Sequence, residues 1–279
     1  MGPTERVTFY DQHPFDWVGS DASEPIHNII SRPLVDFIET LEKNALVLDI
    51  GCGPGRVLRV LACLGVKCAG LDRSSVSISL ATKRYGRPGV VGDNSRLPFA
   101  DGCADAIISD GVVHHTEDPE SSFAENCRVL KPSGRMYLAV YKPAGRYPWL
   151  YKYPGALIRS GLRRGWTQPA VTVFAQVPYF LVHFLRSRGR RTWTGARNLF
   201  FDYFVTPRVT FLPRAVVDEW CARHGARIVL YDENRGGNVH SFWLVRESVA
   251  NSSKDLEAVS VTGPLVAAKG GAGQARMPL

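Results

Sequence analysis

The sequence predicts an α/β fold: a doubly wound, mostly parallel sheet of seven strands with a C-terminal antiparallel pair and an inserted cap. Short apolar runs that fit buried strands alternate with helical periodicity over residues 45–141. The alternation stops over residues 142–211, the predicted cap, and resumes over residues 212–247. Because 45 % of the 279 residues are hydrophobic, the chain can bury a sizeable core.

Residues 1–44 are predicted to form an N-terminal lid followed by helices. Residues 4–19 are polar and aromatic, whereas apolar residues recur at helical spacing over 24–43. Pro33 would kink that helix or divide it in two, because proline cannot supply the backbone hydrogen bond of a helix interior.

Strands and helices of the predicted core alternate along the chain. In order they are strand 45–50, helix 56–64, strand 66–71, helix 74–85, strand 89–91, strand 104–109, helix 119–130, turn 131–134, strand 135–141, helix 213–224, strand 226–231 and strand 239–245. A glycine turn at 236–237 suggests that the last two strands pair in antiparallel fashion. The tail, residues 248–279, lacks periodicity and is expected to be disordered.

Composition and charge limit the function classes. None of the six cysteines forms a C-x-x-C pair, so neither a metal site nor a redox motif is predicted, and the thiols fit a reduced, cytoplasmic protein. Residues 1–11 lack the apolar core of a signal peptide, and the longest apolar stretch, 169–185, is short for a bilayer span. Residues 142–214 hold 13 Lys/Arg and a single acid, Asp202, a net +12 that leaves −4 for the remainder.

The most informative motif is the glycine-rich turn after the first strand. Asp49 ends that strand, and Gly51, Gly53 and Gly55 follow at a spacing of two before the next helix. Glycine lets the backbone turn sharply and lets a ligand lie against it. The spacing differs from the G-x-G-x-x-G of nicotinamide oxidoreductases, so that class is disfavoured.

Acidic residues follow the next two strands. Asp72 ends the second strand, where a carboxylate can bind ribose hydroxyls, and Asp93 follows the third. Since ligands of open α/β sheets bind at the carboxyl ends of the strands, the glycine turn and both acids predict one nucleotide-type site.

Five stretches resemble, in order and spacing, the motifs of class I S-adenosylmethionine (SAM)-dependent methyltransferases, particularly the small-molecule branch. They are Leu48–Gly55, Gly70–Ser74, Gly92–Phe99, Gly111–His115 and Arg128–Gly134, which together span about a third of the chain. The resemblance implies a Rossmann-like sheet, SAM as the cofactor and methyl transfer as the activity.

The resemblance also implies cofactor-binding residues. They are Tyr10 in the lid, Asp49, Gly51, Cys52, Gly53 and Gly55 for the methionine part, Asp72 for the ribose, Asp93 and Asn94 for the adenine, and Asp110 and Gly111 for the methionine end. Arg73 departs from the family, which often has an apolar residue there. It is expected either to flank the adenine or to face solvent.

Three histidines are candidates for a catalytic base, because imidazole titrates near neutral pH. His13 lies in the lid, and His114 and His115 follow the fourth strand. The pair at 114–115 is common in the family, where it often serves the fold. A well-positioned nucleophile could also react without a base.

The cap is expected to hold the acceptor. Its aromatic and basic side chains, with Trp149, Tyr203, Arg163 and Arg164 as candidates, suit a small molecule that is anionic or amphiphilic. They would also suit peripheral contact with a membrane, or could form an ordinary solvated basic face. No RNA-binding module is recognisable, so nucleic acid is disfavoured.

The leading hypothesis is therefore a SAM-dependent methyltransferase acting on a small or amphiphilic, anionic acceptor by in-line transfer. Two alternatives remain: a membrane-associated quinone or lipid methyltransferase, and a non-catalytic SAM-binding protein. The sequence leaves the methylated atom, the use of a base and the oligomeric state open.

Overall fold

A seven-stranded sheet organises the molecule, and the computed structural model describes residues 9–16, 29–186, 193–235 and 237–248. The strands are β1 (Leu46–Ile50), β2 (Lys67–Asp72), β3 (Gly89–Val91), β4 (Ala104–Asp110), β5 (Leu130–Tyr141), β6 (Ala226–Asp232) and β7 (Val239–Arg246). Their order is β3-β2-β1-β4-β5-β7-β6. β7 runs in the direction opposite to the other six strands, so it pairs in antiparallel fashion with β5 and β6. This confirms the predicted Rossmann-like sheet with its closing antiparallel pair.

Helices occupy the segments between the strands and most of the cap. The α-helices are α1 (Arg32–Glu39), α2 (Arg56–Cys63), α3 (Ser75–Tyr85), α4 (Pro119–Val129), α5 (Tyr147–Leu150), α6 (Ala156–Arg163), α7 (Gln168–Val171), α8 (Val177–Arg186), α9 (Trp193–Phe200) and α10 (Arg214–Arg223). Three π-helical segments continue α5, α7 and α9: Tyr151–Gly155, Thr172–Gln176 and Phe201–Val205. Pro33 stands in the first turn of α1, where a missing N–H costs nothing, so it begins a helix instead of kinking one. Residues 24–28 of the predicted first helix lie outside the described residues.

The alternation of side chains along β1 explains why helices cover both faces of the sheet. Val47 packs with Leu58 and Leu61 of α2 on one face, whereas Leu48 belongs to the cluster on the other face with Phe123 of α4. Both faces of a parallel strand are therefore buried, as expected for a doubly wound fold.

The strand order reverses between β1 and β4, and this arrangement positions the site. β1 pairs with β2 on one side and with β4 on the other, all three parallel. The loops that leave β1 and β4 turn to opposite faces, which opens a crevice at the carboxyl ends of the strands.

Residues 131–134, predicted as a turn before the fifth strand, lie within β5 as a bulge. Ala104 pairs with Leu130 and Ala106 pairs with Arg135, so the intervening residues are left out of the ladder. Ser133 has a φ of 63°, which is the local turn geometry that the sequence indicated.

The cap is helical and belongs to the same compact unit as the sheet. Its small core contains Val171, Phe200, Phe201 and Phe204, and Phe9 of the lid is buried among them. The lid therefore packs into the cap as well as against the sheet. The predicted disordered tail, residues 248–279, lies outside the described residues except for its first residue.

Candidate cofactor and acceptor site

A cavity of about 290 Å³ lies at the carboxyl ends of β1, β2 and β4, and lid and cap residues complete its wall. Ten of the predicted cofactor residues line it: Tyr10, Gly51, Cys52, Gly53, Asp72, Arg73, Asp93, Asn94, Asp110 and Gly111. Asp49 and Gly55 do not line it. The fold thus brings most of the predicted site together.

Each of the three glycines in the turn meets a different structural requirement. All three have positive φ angles, 75° at Gly51, 53° at Gly53 and 91° at Gly55. A Cβ on Gly51 would lie 2.4 Å from the side chain of Val112, whereas a Cβ on Gly53 would meet no protein atom within 4 Å. Gly53 therefore leaves open space on the cavity side, where a ligand can approach the backbone. Gly55 instead lets α2 approach α3, because its Cβ would lie 2.9 Å from Tyr85.

Asp72 ties the glycine turn to the end of β2. Its Oδ2 accepts a 2.8 Å hydrogen bond from the Gly53 N–H, and its Oδ1 accepts one of 2.9 Å from the Ser74 N–H. Burial raises the pKa of this carboxyl, and the two N–H donors oppose the shift. Each carboxylate oxygen keeps a second lone pair, so Asp72 can still accept ligand hydroxyls.

Two residues after β3 form the far end of the cavity. Asp93 accepts hydrogen bonds at Oδ1 from the N–H and hydroxyl of Ser95, and its Oδ2 lies 3.1 Å from Arg73 Nη2. Asn94 is 7 % exposed, yet neither its Oδ1 nor its Nδ2 has a partner among the described residues. A buried amide without partners is costly, so Asn94 fits a site that is completed by a polar ligand such as a purine.

Arg56 and Asp110 form an ion pair at the opposite end of the cavity. Arg56 begins α2 and Asp110 ends β4, and both line the cavity. A paired base and acid suit the carboxylate and ammonium of an amino acid such as the methionine part of SAM. Sequence reasoning missed Arg56, whose only signal was its place directly after the third glycine.

Asp49 lies beneath the glycine turn. It is 2 % exposed, and its Oδ2 has no partner among the described residues. Burial raises the pKa of Asp49 to about 8, against the opposing influence of Arg56. Asp49 is therefore buried at the end of β1 and does not reach the cavity surface. Its predicted direct contact with the cofactor stays a prediction.

The lid is held from two sides. On the sheet side, Asp11 accepts a 2.6 Å hydrogen bond from the Ser74 hydroxyl, and Asp16 lies 2.9 Å from Arg84. On the cap side, Asn198 Nδ2 donates a 3.0 Å hydrogen bond to the Asp16 backbone oxygen. Tyr10, between these anchors, lines the cavity, and burial raises its pKa.

A buried polar cluster, His115, Tyr141 and Asp202, forms the cavity wall nearest the cap. His115 Nδ1 lies 2.8 Å from the Arg208 backbone oxygen, so we assign the proton to Nδ1 and leave Nε2 as an acceptor. Nε2 lies 3.8 Å from Asp202 Oδ1, and the Tyr141 hydroxyl donates a hydrogen bond to Asp202 Oδ2.

Burial sets the protonation of this cluster. It raises the pKa of Asp202 to about 7, although the Tyr141 hydrogen bond opposes the shift. It lowers the pKa of His115 to about 4. A carboxyl that titrates near neutral pH in a cavity wall can take up or release a proton there. Sequence reasoning had Asp202 only as the single acid of the cap and did not consider Tyr141.

The other two candidate histidines do not line the cavity. His114 is fully buried, its Nδ1 accepts a 3.3 Å hydrogen bond from the Tyr141 N–H, and burial lowers its pKa well below the usual range. His13 packs 4.3 Å from the Phe201 ring at the joint between lid and cap. Burial, with Arg197 nearby, lowers the pKa of His13 to about 4.

The four predicted acceptor residues lie outside the cavity lining. Trp149 is 58 % exposed, and Arg163 and Arg164 are also exposed. Tyr203 stacks on Tyr147 at 4.2 Å and bonds to Asn238. Aromatic and basic residues look alike in sequence whether they face inward or outward, and these do not face the cavity.

Comparisons with known proteins agree with this geometry. A family model described as a methyltransferase domain matches residues 48–138. The chain is 38 % identical over 108 residues to "Probable tRNA methyltransferase 9B" of Mus musculus, which covers 38 % of this chain and 24 % of that protein. It is 31 % identical over 144 residues to demethylmenaquinone methyltransferase of Renibacterium salmoninarum, which covers 47 % of this chain and 61 % of that protein.

The match to these relatives is partial, whereas the likeness of fold is broader. The chain spans about a quarter of the length of the mouse relative. Magnesium protoporphyrin IX methyltransferase from Synechocystis PCC 6803, solved with bound SAH, superposes with a TM-score of 0.54 at 14 % identity. That likeness covers 88 % of this chain and 99 % of the other, and it concerns the fold. The glycine turn and the strand-end acids lie where this domain matches, so residues 48–138 form a SAM-dependent methyltransferase domain on a Rossmann-like sheet.

Proposed function

We propose that the chain transfers a methyl group from SAM, in line, to a small or amphiphilic acceptor of anionic character. The observation that carries this proposal is the continuity of one cavity. The same space is lined by the cofactor-side residues Gly53, Asp72 and Asn94 and, at the cap, by Tyr141 and Asp202. A bound cofactor and an acceptor would therefore share one continuous space, in which the reacting groups can be aligned.

The chain's own residues suit SAM along the length of the cavity. Arg56 and Asp110 would hold the amino-acid part, Asp72 the ribose hydroxyls and Asn94 the adenine. When bound, SAM supplies an electrophilic methyl group on a sulfonium. Tyr10 and the lid would close over the cofactor, because Asp11 and Asp16 anchor the lid beside the cavity.

Asp202 is the residue proposed to receive the acceptor's proton. Its carboxyl is buried in the cavity wall and has a pKa of about 7, which suits a general base at neutral pH. The Tyr141 hydroxyl orients Oδ2, and His115 presents its Nε2 3.8 Å from Oδ1. The acceptor would lie between this cluster and the methyl group.

The cavity wall and the charge of the cap both bear on the nature of the acceptor. Beside Asp202 of the cap, the cavity wall carries the aromatic rings of Tyr10 and Phe15 from the lid and Tyr141 from β5, which suits an amphiphilic molecule. The cavity lining itself has more acids than bases, so the support for an anionic acceptor is the electric field of residues 142–214, whose net +12 would draw anions toward the cavity. Arg163 and Arg164 would contribute to this long-range attraction without contacting the acceptor.

The names of the relatives point to tRNA as well as to quinones. The matched family region, 48–138, ends before the cap and so favours no acceptor over another. A small acceptor is preferred here because Asp202 and Tyr141 are only 7 % and 9 % exposed, which favours a molecule small enough to enter the cavity. A non-catalytic SAM-binding protein would not need the buried base or the closed acceptor end.

The test is transfer of label from methyl-labelled SAM to a panel of phenols, quinols, fatty acids and unmodified tRNA. We expect label in an organic-extractable acceptor, and loss of that label in Asp72→Ala but not in the surface control Asp101→Ala, since Asp101 is 78 % exposed. Label only in tRNA would refute the acceptor class. SAH binding without transfer to any acceptor in cell extract would favour the non-catalytic alternative.

A further inference from the structure

The cap exposes large apolar side chains far more than the rest of the molecule does. Of the sixteen large hydrophobic side chains that are exposed among the described residues, eleven lie between Trp149 and Trp193. Phe174 is 82 % exposed, Leu185 is 74 % and Leu157 is 63 %. Exposed apolar side chains that form one patch commonly mark an interaction site, whereas scattered ones do not.

These side chains follow helical spacing, so they share a face. On the helical run from α7 through α8, Phe174, Leu181 and Leu185 recur at intervals of seven and four residues. Val173 and Val182 lie beside them and are also exposed. We call these five residues the apolar stripe, which spans about 18 Å at 1.5 Å per residue.

Exposed basic side chains precede the apolar stripe in the sequence of the cap. Arg163 and Arg164 are exposed at the end of α6, just before α7, and Lys152 is exposed earlier in the cap. The segment 142–211 has only one acid, Asp202, which is 7 % exposed. The outer surface of the cap therefore presents apolar and cationic groups without any exposed carboxylate.

The combination of exposed apolar and cationic side chains favours some binding partners over others. A second copy of the same face would bring like charges together, which is unfavourable. Nucleic acid would meet the cations but would leave the aliphatic Leu157, Leu181 and Leu185 unused, since bases stack on aromatic rings. An anionic bilayer matches both features, because apolar side chains enter the acyl boundary while arginine and lysine meet the headgroups.

We propose that the apolar stripe and its flanking basic residues dock the cap onto the surface of an anionic phospholipid bilayer. No helix among the described residues is both long and apolar enough to cross a membrane, so the contact is interfacial. The inner side of the same cap lines the cavity at Asp202. Docking would bring an amphiphilic acceptor within reach of the site, but it does not depend on methyl transfer.

The experiment is co-sedimentation of the full chain with vesicles of phosphatidylcholine alone or mixed with phosphatidylglycerol. We expect binding to the anionic vesicles only, with release at high salt. Phe174→Ser with Leu185→Ser, and separately Arg163→Gln with Arg164→Gln, should each weaken partitioning about tenfold or more. Two control pairs, Leu64→Ser with Val229→Ser and Lys43→Gln with Lys83→Gln, change exposed residues outside the cap and should bind as wild type.

Three results would overturn the proposal: no binding to anionic vesicles, equal losses in cap and control variants, or a stripe that instead mediates self-association or RNA binding with vesicle binding absent. SAH affinity and thermal unfolding, measured on the same samples, check that each variant is folded. Vesicle binding without SAH binding would leave docking intact and refute the proposed function. SAH binding without vesicle binding would refute docking and leave the proposed function intact.

Discussion

The carboxylate of Asp11 accepts a 2.6 Å hydrogen bond from the hydroxyl of Ser74, whose own N–H is held by Asp72. The same hydroxyl caps α3 by accepting the N–H of Ser77. The lid is thus fastened to the residue that directly supports the proposed ribose-binding carboxylate.

We therefore expect Asp11→Ala to loosen the lid without unfolding the protein. Losing one hydrogen bond of about 1 kcal/mol should speed SAH dissociation roughly fivefold and raise amide exchange over residues 9–16. Asp36→Ala, which removes an exposed pair with Arg32, is the matched control. Unchanged dissociation in Asp11→Ala would show that the lid does not retain the cofactor. Deleting the lid is a poorer test, because Phe9 is buried in the cap core.

Asp72→Ala should weaken SAH binding about 10- to 100-fold by isothermal titration, since a charge-assisted hydrogen bond contributes about 1.5–3 kcal/mol. The loss should include some loosening of the glycine turn, because Asp72 also holds the Gly53 N–H. Asp72→Asn keeps one acceptor oxygen, so its affinity for SAH should lie between the affinities of wild type and Asp72→Ala. NAD should not bind any of these proteins. Wild-type affinity in Asp72→Ala would remove it from the ribose role.

Asp202 should titrate near pH 7, as ¹³C NMR of its carboxyl can measure directly. With the acceptor identified, kcat/KM should rise as the pH increases through about 7, because the carboxylate is the form that accepts a proton. Tyr141→Phe should move the inflection to higher pH, since the Tyr141 hydrogen bond favours the carboxylate. Asp202→Asn should be slower and lack that inflection. A profile in Asp202→Asn that matches wild type would exclude Asp202 as the base.

Asp49 should make the apo protein less stable as the pH rises. Its folded pKa of about 8 lies above the ordinary value of 3.8, so the folded state binds more protons between these values. Stability from this group is complete below about pH 4 and is lost up to about pH 8. Asp49→Asn should therefore gain a few kcal/mol over wild type at pH 8 in urea unfolding, and little at pH 4. An equal difference at both pH values would contradict the buried, unpaired carboxyl.

The cofactor side of the site was predictable because its signals are local. Gly51, Gly53 and Asp72 sit at strand ends, and parallel strands bring those ends together whatever the details of packing. Arg56 was missed because an arginine at the start of a helix is ordinary in any sequence. Its meaning comes only from Asp110, which lies 54 residues away.

The acceptor side was not predictable for a related reason. Tyr141 and Asp202 are 61 residues apart, and only the folded cap brings the hydroxyl to the carboxylate. The aromatic and basic residues chosen from composition, such as Trp149 and Arg163, are exposed and do not line the cavity, so their contact with an acceptor stays a prediction. The helical spacing of Phe174, Leu181 and Leu185 was present in the sequence, but such spacing is the same for a buried and an exposed helix face, so only the structure shows that this face is exposed.

Two of the hydrogen bonds between the lid and the cap have a consequence for how the molecule folds. Asn198 reaches Asp16 across 182 positions of the chain, and Arg197 reaches His13 across 184. Contacts between such distant positions carry the largest entropy of loop closure, so they form late. We expect the contacts between residues 9–16 and the cap to form only when α9 is in place, so that the cap side of the cavity takes shape late in folding.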